Sequence, residues 1–252
     1  MSQKSAIKAD FSRAADNYDS HAGLQKIIAE NLVAFIDKIP QHGQILDLGS
    51  GTGYMREILQ RKDLHEGIIE TDIAFPMCKK SRENAGITVN ADMERLPFKD
   101  GVFSAVVSSL ALQWLENLEV TFAEAARVLQ PGGIFAFAIF GAGTLRELME
   151  SLEKYGEGNR INEFFPAEKI LDCLQWNFML LRHVEENIVN DYRDLFDLQG
   201  KIRVIGGRKK GKSAPFGRKK VLCVNEYYSR HYPGSRGIFA SWNAHYFLAE
   251  KI

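Results

Sequence analysis

Three glycines spaced two apart directly follow an apolar run that contains one carboxylate. The run is residues 45–48 with Asp47 inside it, and the glycines are Gly49, Gly51 and Gly53. Because glycine has no Cβ, it adopts positive φ and lets a ligand lie against the main chain. The third glycine comes too early for the dinucleotide-binding motif, and no Gly-Lys-Ser/Thr follows as in a P-loop. A loop of this spacing beside an acidic residue suits a nucleoside with a cationic centre, and S-adenosylmethionine is the obvious candidate.

Two aspartates are predicted to contact such a ligand through their carboxylates. Asp47 can pair with the amino group of the methionine moiety, directly or through water, or it can hold the turn by accepting backbone N–H groups. Asp72 follows Gly53 by 19 residues and ends a second apolar run. In nucleotide-binding folds a carboxylate at that place accepts hydrogen bonds from the ribose hydroxyls. The alternative for Asp72 is to cap the following helix.

Two further strand-like runs end in residues suited to the adenine ring. Asp92 closes the third run and can accept the adenine amino group, while Met93 and Ile73 pack against the ring faces. Ser109 and Leu110 end the fourth run and are predicted to face the same crevice. Because four successive runs each end in a small or acidic polar residue, the joint pattern is more specific than any one member.

Strand-like and helix-like runs alternate along the chain and determine where these residues lie. Predicted strands are residues 45–48, 67–72, 87–91, 103–108, 134–140, 183–189 and 242–248. Predicted helices lie within residues 1–40 and at 54–60, 75–83, 118–129, 144–155, 195–205 and 219–228, with a turn at 131–133. Repeated βα units require parallel strands joined by right-handed crossovers. We therefore predict an α/β fold with a doubly wound, mainly parallel seven-stranded sheet, whose last strand is antiparallel and whose ligand lies at the carboxyl ends of the strands.

The length of 252 residues fits a single domain. We predict N-terminal cap helices over residues 1–40, a cofactor-binding core over 41–140, and helical lid insertions with the terminal strands over 141–252.

Composition argues against several classes of protein. The formal net charge is +0, and the three cysteines have neither metal-ligand spacing nor the even count of a disulfide framework. The N-terminus lacks an apolar leader, and no apolar run approaches the length of a bilayer span. We therefore predict a cytoplasmic protein with no bound metal and no membrane association.

The motifs around the glycines and aspartates resemble those of the class I S-adenosylmethionine-dependent methyltransferases. They are LDLGSGTG at 46–53, DIAFPM at 72–77, ADMERLPFKDGVF at 91–103 and RVLQPGG at 127–133. Ser50 stands where many members have Cys or Ala. The resemblance implies a Rossmann-like fold that holds S-adenosylmethionine at Gly49, Ser50, Gly51 and Gly53 and yields S-adenosylhomocysteine as product.

A narrower resemblance covers most of the chain. Residues 11–15 with Tyr18, His21 and Gln25, and the segments 110–114, 143–148, 162–166 and 202–207, are similar to the malonyl-acyl-carrier-protein O-methyltransferases of biotin synthesis. This resemblance implies methylation of the free carboxylate of a malonyl thioester carried by acyl carrier protein. It also implies that Tyr18, His21 and Gln25 lie over the cofactor. For Tyr18 and His21, packing and capping of helices is the alternative.

The implied substrate is already a nucleophile at neutral pH. An alkyl carboxylate has a pKa of about 3–4, so no catalytic residue is expected, and proximity and desolvation supply the rate. Arg203 is a candidate for pairing with the carboxylate, and Arg146 is a second candidate, although both also suit a solvated surface. Gln113 could bind the thioester carbonyl and Trp114 could wall the pocket, with core packing as the alternative for Trp114.

Residues 201–220, here termed the basic segment, contain no acidic residue. Their cations are Lys201, Arg203, Arg208, Lys209, Lys210, Lys212, Arg218, Lys219 and Lys220. Such a segment would steer an acidic acyl carrier protein, and by charge alone it would also draw nucleic acid. The alternative is a solvated loop. We expect carrier docking, because the segment lies where the family that this chain resembles handles its substrate. An RNA methyltransferase would carry an Asn-Pro-Pro-Tyr type of motif where Ser108-Ser109-Leu110 stands.

The chain departs from the family pattern at one place and also resembles a second, related group of proteins. Ser241-Trp242 replaces the Thr-Tyr pair of the last strand, which alters that strand's contribution to substrate binding. Segments 108–114 and 140–148 also resemble the mitochondrial complex I assembly-factor methyltransferase-like proteins, some of which act on an arginine of a partner protein. A factor that modifies or binds a respiratory protein is therefore the alternative function.

Overall fold

The computed structural model describes residues 3–36, 43–62, 67–205 and 217–252, in which helices and strands alternate. The described strands are β1 (Gln44–Leu48), β2 (Ile68–Asp72), β3 (Ile87–Asn90), β4 (Phe103–Ser109), β5 (Leu129–Phe140), β6 (Phe178–Tyr192), β7 (Pro233–Gly234) and β8 (Gly237–Lys251). The described α-helices are α1 (Gln3–Ala14), α2 (Tyr18–His21), α3 (Gly23–Phe35), α4 (Tyr54–Arg61), α5 (Phe75–Glu83), α6 (Leu118–Val128), α7 (Arg146–Glu153), α8 (Ala167–Leu174), α9 (Leu195–Ile205) and α10 (Arg218–His231).

The strands form one sheet in the order β3-β2-β1-β4-β5-β8-β6, with β7 paired to β8. Strands β1 to β5 are mutually parallel, whereas β8 is antiparallel to both β5 and β6. This order confirms the predicted doubly wound, mainly parallel α/β sheet with an antiparallel last strand. The seven predicted strands are all present, and the two-residue β7 is an addition that the sequence did not indicate.

The direction of the strand order reverses at β1, which lies between β2 and β4. Asp47 is paired in register with Glu70 of β2 and Val107 of β4. Crossover connections leave this position toward opposite sides, so a crevice opens beyond the carboxyl ends of the strands. The glycine loop after β1 therefore lies at the place where open α/β sheets bind their ligands.

Apolar layers cover both faces of the sheet. One contains Ile28 and Leu32 of α3 with Leu198 of α9 and Tyr228 of α10. The other is rich in aromatic rings, including Phe122 of α6. β4 is buried along almost its whole length, as expected for a parallel strand covered on both sides, although it contains Ser104, Ser108 and Ser109.

The last two long strands extend well beyond their predicted bounds. β6 covers Phe178–Tyr192 and β8 covers Gly237–Lys251, because the two strands pair with each other along most of their length. The predicted bounds already contained polar residues such as Glu185 and Asn187, and they omitted the largely apolar start of β6 at residues 178–182. A register shift between Leu180 and Arg182 marks a β-bulge in this edge strand.

Two predicted boundaries near β5 are wrong. α6 ends at Val128, and β5 already begins at Leu129, so the predicted turn at 131–133 lies within an irregular part of that strand. α7 begins at Arg146 rather than at residue 144, because Leu145 has a φ of +58° and a left-handed residue cannot belong to the helix.

The helices inserted between β6 and β8 pack against the sheet. Leu195 and Leu198 of α9 and Val224 of α10 are buried in the same layer as α3. This packing does not test whether α9 and α10 act as a lid, which stays a prediction. Among the described helices none has the length and apolar character needed to cross a membrane.

Candidate active site

The three glycines of the loop after β1 all have positive φ. The values are +72° for Gly49, +57° for Gly51 and +93° for Gly53. A Cβ at Gly49 would lie 2.3 Å from the Cβ of Ala111, and one at Gly53 would lie 2.7 Å from Oε1 of Glu70. The loop therefore needs glycine both for its backbone conformation and for its close packing.

The carboxylate of Asp72 holds this loop in place. Its Oδ2 accepts the N–H of Gly51 at 3.0 Å, and its Oδ1 accepts the N–H of Ala74 at 2.7 Å. Burial raises the pKa of Asp72 to about 6, although both backbone hydrogen bonds act in the opposite direction. These bonds hold the loop and the connection to α5, whose N-cap is Ala74 and which has no side-chain cap hydrogen bond. Asp72 also lines the main cavity described below.

Asp47 is a buried carboxylate without a cation beside it. The residue is 1% exposed, and its Oδ2 has no hydrogen-bond partner among the described residues. Burial, together with the charges of Glu70 and Asp72, raises the pKa of Asp47 well above its usual value, and Arg56 only partly opposes this. A buried anion of this kind is stabilised by a cationic ligand.

Glu70, the neighbour of Asp47 in the sheet, has partners of its own. It is fully buried, accepts the hydroxyl of Ser81 at 2.6 Å, and lies 3.5 Å from Nε of Arg56. The Arg56 guanidinium also binds the carbonyl of Asn84. The guanidinium also donates to Oε1 of Gln60 at 3.1 Å. Asp47, unlike Glu70, lines a cavity described below and is therefore the carboxylate accessible to a ligand.

A main cavity of about 340 Å³ lies over the carboxyl ends of β1, β2 and β4. The predicted cofactor residues that line it are Tyr18, Gly49, Gly51, Asp72, Ile73, Asp92, Met93, Ser109 and Leu110. The fold thus brings the predicted ribose and adenine contacts to one cavity. Trp114, predicted to contact the substrate, lines the same cavity.

The first helix closes one side of this cavity, although no residue of α1 was predicted to line it. Lys4, Ile7 and Phe11 of α1 line it. The ring of Phe11 meets that of Trp114 edge to face, with centroids 5.6 Å apart. Lys4 forms ion pairs with Asp92, at 2.6 Å, and with Glu94. Because Lys4 and Asp92 are 88 residues apart, no local pattern could have identified the pair.

The end of β4 has an unusual backbone that a neighbouring amide supports. Leu110 has a φ of +52°, which is costly for a residue with a Cβ. Its carbonyl accepts Nε2 of Gln113 at 2.8 Å, and its N–H donates to the carbonyl of Ala138 at 2.9 Å. Gln113, predicted to bind the thioester, is buried and does not line the cavities described here. Its donor group instead supports Leu110.

A small cavity of about 50 Å³ adjoins the main one and shares Tyr18, Gly49, Gly51 and Ser109 with it. It is also lined by Asp47, Ser50 and Gln25. Several of its polar atoms are buried without a hydrogen-bond partner among the described residues, namely Oγ of Ser50, Oγ of Ser109, Oε1 of Gln25 and Oδ2 of Asp47. Buried polar atoms of this kind are satisfied by water or by a polar ligand. The donors and acceptors present therefore fit the amino-acid end of S-adenosylmethionine.

The remaining predicted residues lie farther from this ligand. His21 is exposed, and its Nδ1 lies 2.9 Å from the carbonyl of Asn17 within α2. It lines a third, open cavity together with Gln25 rather than the main cavity. The side chain of Arg203 lies outside the described residues. Arg146 is exposed beside Glu147 and Glu150.

The Ser241-Trp242 pair keeps a defined set of contacts. Ser241 donates its N–H and its hydroxyl to the carboxylate of Glu147, at 3.0 Å and 2.7 Å. The indole of Trp242 donates to the hydroxyl of Tyr192 at 3.0 Å and packs on Phe140. Both residues are buried, so the departure from the Thr-Tyr pair is accommodated inside the fold.

Sequence comparisons place these features within a known family. A family model described as a methyltransferase domain matches residues 46–137, which include the glycine loop and the ends of β2 and β4. The malonyl-acyl-carrier-protein O-methyltransferase of Geobacter sulfurreducens is 31% identical over 271 residues, covering 100% of both chains. The enzyme of that name from Hamiltonella defensa is 32% identical, covering 84% of this chain and 83% of its own. This chain belongs to the malonyl-acyl-carrier-protein O-methyltransferase family.

Solved structures agree with this family at the level of the fold. A Bacillus halodurans protein superposes with a TM-score of 0.65 at 15% identity, covering 88% of this chain and 97% of its own. The geranyl diphosphate C-methyltransferase of Streptomyces coelicolor, solved with S-adenosyl-L-homocysteine, gives a TM-score of 0.55 at 13% identity, covering 89% and 76%. The methyltransferase domain and fold identify S-adenosylmethionine as the methyl donor of this family member.

Proposed function

We propose that this chain transfers a methyl group from S-adenosylmethionine to the free carboxylate of a malonyl thioester on acyl carrier protein, in synthesis of the biotin precursor. The products are the methyl ester and S-adenosylhomocysteine. The observation that carries the proposal is a 31% identity that extends over the whole of both chains. The similarity therefore includes segments outside the methyltransferase domain at 46–137, where contacts to an acceptor substrate are expected.

The proposed cofactor contacts follow from the main and small cavities. Asp47 would pair with the ammonium of the methionine moiety, because its buried Oδ2 has no partner among the described residues. Asp72 would accept the ribose hydroxyls and Asp92 the adenine amino group, with Ile73 and Met93 on the ring faces.

Further residues would complete the cofactor site. The main chain at Gly49, Gly51 and Gly53 would contact the cofactor closely, as positive φ there permits. The hydroxyls of Ser50 and Ser109 would bind it, with Tyr18, Gln25 and Leu110 enclosing it and His21 near the acceptor side.

No side chain is needed to activate the acceptor, because a malonyl carboxylate is ionised at neutral pH. S-adenosylmethionine, when bound, supplies an electrophilic methyl group on a sulfonium centre. The chain's own task is to align the carboxylate with that group, which can lower a barrier by roughly 7–11 kcal/mol. Phe11, Trp114 and Leu115 line the cavity with apolar surface and exclude water, which favours a reaction that neutralises charge.

The basic segment is proposed to dock the carrier protein. Of its described residues, Arg218, Lys219 and Lys220 are exposed at the start of α10, and Lys220 pairs with Glu157. Residues 206–216 lie outside the described part of the chain. Opposite charge would speed the encounter with an acidic carrier.

We also propose that the chain forms one domain with α9 and α10 as its lid. We further propose a cytoplasmic location and no nucleic-acid substrate.

The direct test is methyl transfer from labelled S-adenosylmethionine to malonyl-acyl carrier protein by the purified chain. We expect product with the malonyl carrier and little with the acetyl carrier, which lacks a free carboxylate. Growth of a biotin auxotroph lacking the pathway methyltransferase would support the same conclusion and count against a respiratory assembly factor. An inert malonyl carrier, with S-adenosylhomocysteine binding intact, would refute the proposal.

Docking is tested separately by charge reversal. The double substitution Arg218→Glu with Lys219→Glu should raise KM for malonyl-acyl carrier protein and leave malonyl-pantetheine unaffected. The control is Lys79→Glu, on exposed α5 surface outside the basic segment. Equal effects on both substrates would contradict docking at this place.

A further inference from the structure

A polar cavity of about 540 Å³ lies beside the cofactor cavities, between the start of α3, the end of β6 and the turn from β7 to β8. We infer that this open cavity receives the phosphopantetheine arm on which the carrier presents the malonyl thioester, with Lys201 and Arg236 binding the arm's phosphodiester. The inference rests on the proposed function and adds a binding site to it.

The position of the open cavity suits an acceptor. Gln25 lines both the open cavity and the small cavity that contains Asp47. The small cavity in turn shares Tyr18 and Ser109 with the main cavity. The three spaces are therefore neighbours in a row, with the proposed methionine site in the middle. An arm that enters through the open cavity brings its terminal carboxylate to the methyl donor from the side opposite the adenine.

The lining of the open cavity matches the chemistry of the arm. Phosphopantetheine combines amide groups with a branched apolar segment. The indole of Trp242 and the ring of Tyr192 form a buried apolar floor, which their 3.0 Å hydrogen bond fixes. Ser20 and Asn190 add polar groups at the walls. A mixed lining of this kind suits an amide-bearing chain rather than a purely apolar ligand.

The charge of the lining indicates where the phosphodiester lies. Lys201 and Arg236 both line the cavity, and neither forms an ion pair with another described residue. The acidic member of the lining, Asp191, accepts the N–H of Ser235 at 2.9 Å and also its hydroxyl. Asp191 is thus engaged in the turn, and the two cations lining the cavity have no ion-pair partner in the part of the chain that the structure describes. A guanidinium and an ammonium that line one cavity suit a phosphate group.

One wall of the cavity is open because it lacks a side chain. Gly23 lines the cavity, and a Cβ built there meets no atom within 4 Å. Its φ lies outside the left-handed region, so a larger residue fits the backbone. Gly23→Phe should therefore fold and fill the space. Gly200 is the matched control, since it is also helical, exposed and without neighbours within 4 Å, but it does not line the cavity.

The test compares initial rates on malonyl-phosphopantetheine and on malonyl-pantetheine, which lacks the phosphate. Arg236→Ala and Lys201→Ala should each raise KM for the phosphorylated substrate roughly tenfold, the scale of a charged hydrogen bond, and change KM for malonyl-pantetheine by less than about twofold. Gly23→Phe should lower kcat/KM for both substrates by at least about tenfold, while Gly200→Phe leaves both unchanged. Binding of S-adenosylhomocysteine, measured by calorimetry, should be preserved in all four variants.

The outcomes separate this inference from the function on which it rests. If the unaltered chain methylates no malonyl thioester, the proposed function fails and the inference falls with it. If the unaltered chain is active but the two alanine variants treat both substrates alike, the phosphate site is refuted. If Gly23→Phe binds S-adenosylhomocysteine and keeps full activity, the arm does not occupy this cavity.

Discussion

The ammonium of Lys4 lies 2.6 Å from Oδ2 of Asp92, so the first helix is joined directly to the carboxylate at the end of the third strand. The other oxygen of Asp92 accepts the N–H of Glu94 at 3.0 Å. Asp92 is therefore held from two sides in the position where it is proposed to meet adenine. Cofactor binding and the seating of α1 are coupled through this one side chain.

Lys4→Met should weaken binding of S-adenosylhomocysteine about 2- to 5-fold, which is the scale of a partly exposed ion pair. The affinity of the unaltered chain should also fall as salt is added, and the variant should lose part of that dependence. Calorimetry at two ionic strengths measures both effects. Lys8→Met, on an exposed position of the same helix, is the control. Identical behaviour of the two variants would contradict the coupling.

Asp47→Asn should stabilise the ligand-free chain and impair cofactor binding. Removing an unpartnered buried charge should raise the free energy of unfolding by roughly 1–3 kcal/mol, whereas losing the proposed ammonium contact should weaken S-adenosylhomocysteine binding about 10- to 100-fold. Thermal unfolding without ligand and calorimetry with ligand provide the two readouts.

Glu70→Gln is the matched contrast to Asp47→Asn, because Glu70 has partners in Ser81 and Arg56. It should lower the free energy of unfolding by about 1–3 kcal/mol, since the buried guanidinium loses its counter-ion. A stability loss of the same size in both variants would show that Asp47 is also structurally paired.

Asp72 should give cofactor binding a pH dependence near neutrality. Its pKa is raised to about 6 by burial, and the ribose hydroxyls donate best to the ionised form. Affinity for S-adenosylhomocysteine should therefore fall as the pH drops through about 6. The stability of the ligand-free chain should change in the opposite sense. Because the folded chain keeps a proton that an unfolded aspartate loses near pH 3.9, the contribution of Asp72 to stability declines as the pH rises from about 4 to about 6.

Titrating affinity between pH 5 and pH 8 tests this dependence. The same titration in Asp47→Asn removes the contribution of Asp47, a neighbouring carboxylate whose pKa is also raised by burial. An affinity that stays flat across this range in both proteins would be incompatible with a ribose contact at Asp72.

Ser241→Ala should lower the free energy of unfolding by about 1–2 kcal/mol, because the buried Glu147 carboxylate loses one of its donors. Ser241→Thr keeps the hydroxyl and restores the residue type common in the family, so it should lower the free energy of unfolding by less than Ser241→Ala does. Denaturant unfolding of the two variants measures the difference. Equal losses would mean that the hydroxyl adds nothing to the bond from the Ser241 N–H.

The strand ends were predictable from sequence because each joins an apolar run to a polar residue. Asp47, Asp72 and Asp92 all lie where this pattern placed them, around one crevice. The glycine spacing likewise predicted a left-handed loop, which the positive φ of Gly51 confirms. Local physical chemistry was sufficient for both.

Contacts between distant segments were beyond such patterns. Lys4 reaches Asp92 only because α1 packs beside α5 and over the cavity. Gln113 turns its amide to the carbonyl of Leu110, and only the strained backbone there explains why. About half of β6 lies outside its predicted bounds, and its full length is defined by pairing with β8 along most of the strand. For Lys4 and for β6 the deciding partner is remote in sequence, whereas for Gln113 it is the left-handed backbone of the nearby Leu110.

The irregularity between Leu180 and Arg182 affects how molecules of this chain meet one another. β6 is an outer strand of the described sheet, 15 residues long, and its free N–H and C=O groups would template a foreign strand. An extra residue at this point throws the hydrogen-bonding positions out of phase, so a straight incoming strand cannot follow it. The bulge therefore hinders the addition of strands from other molecules to this long, partly apolar sheet edge, and so opposes aggregation.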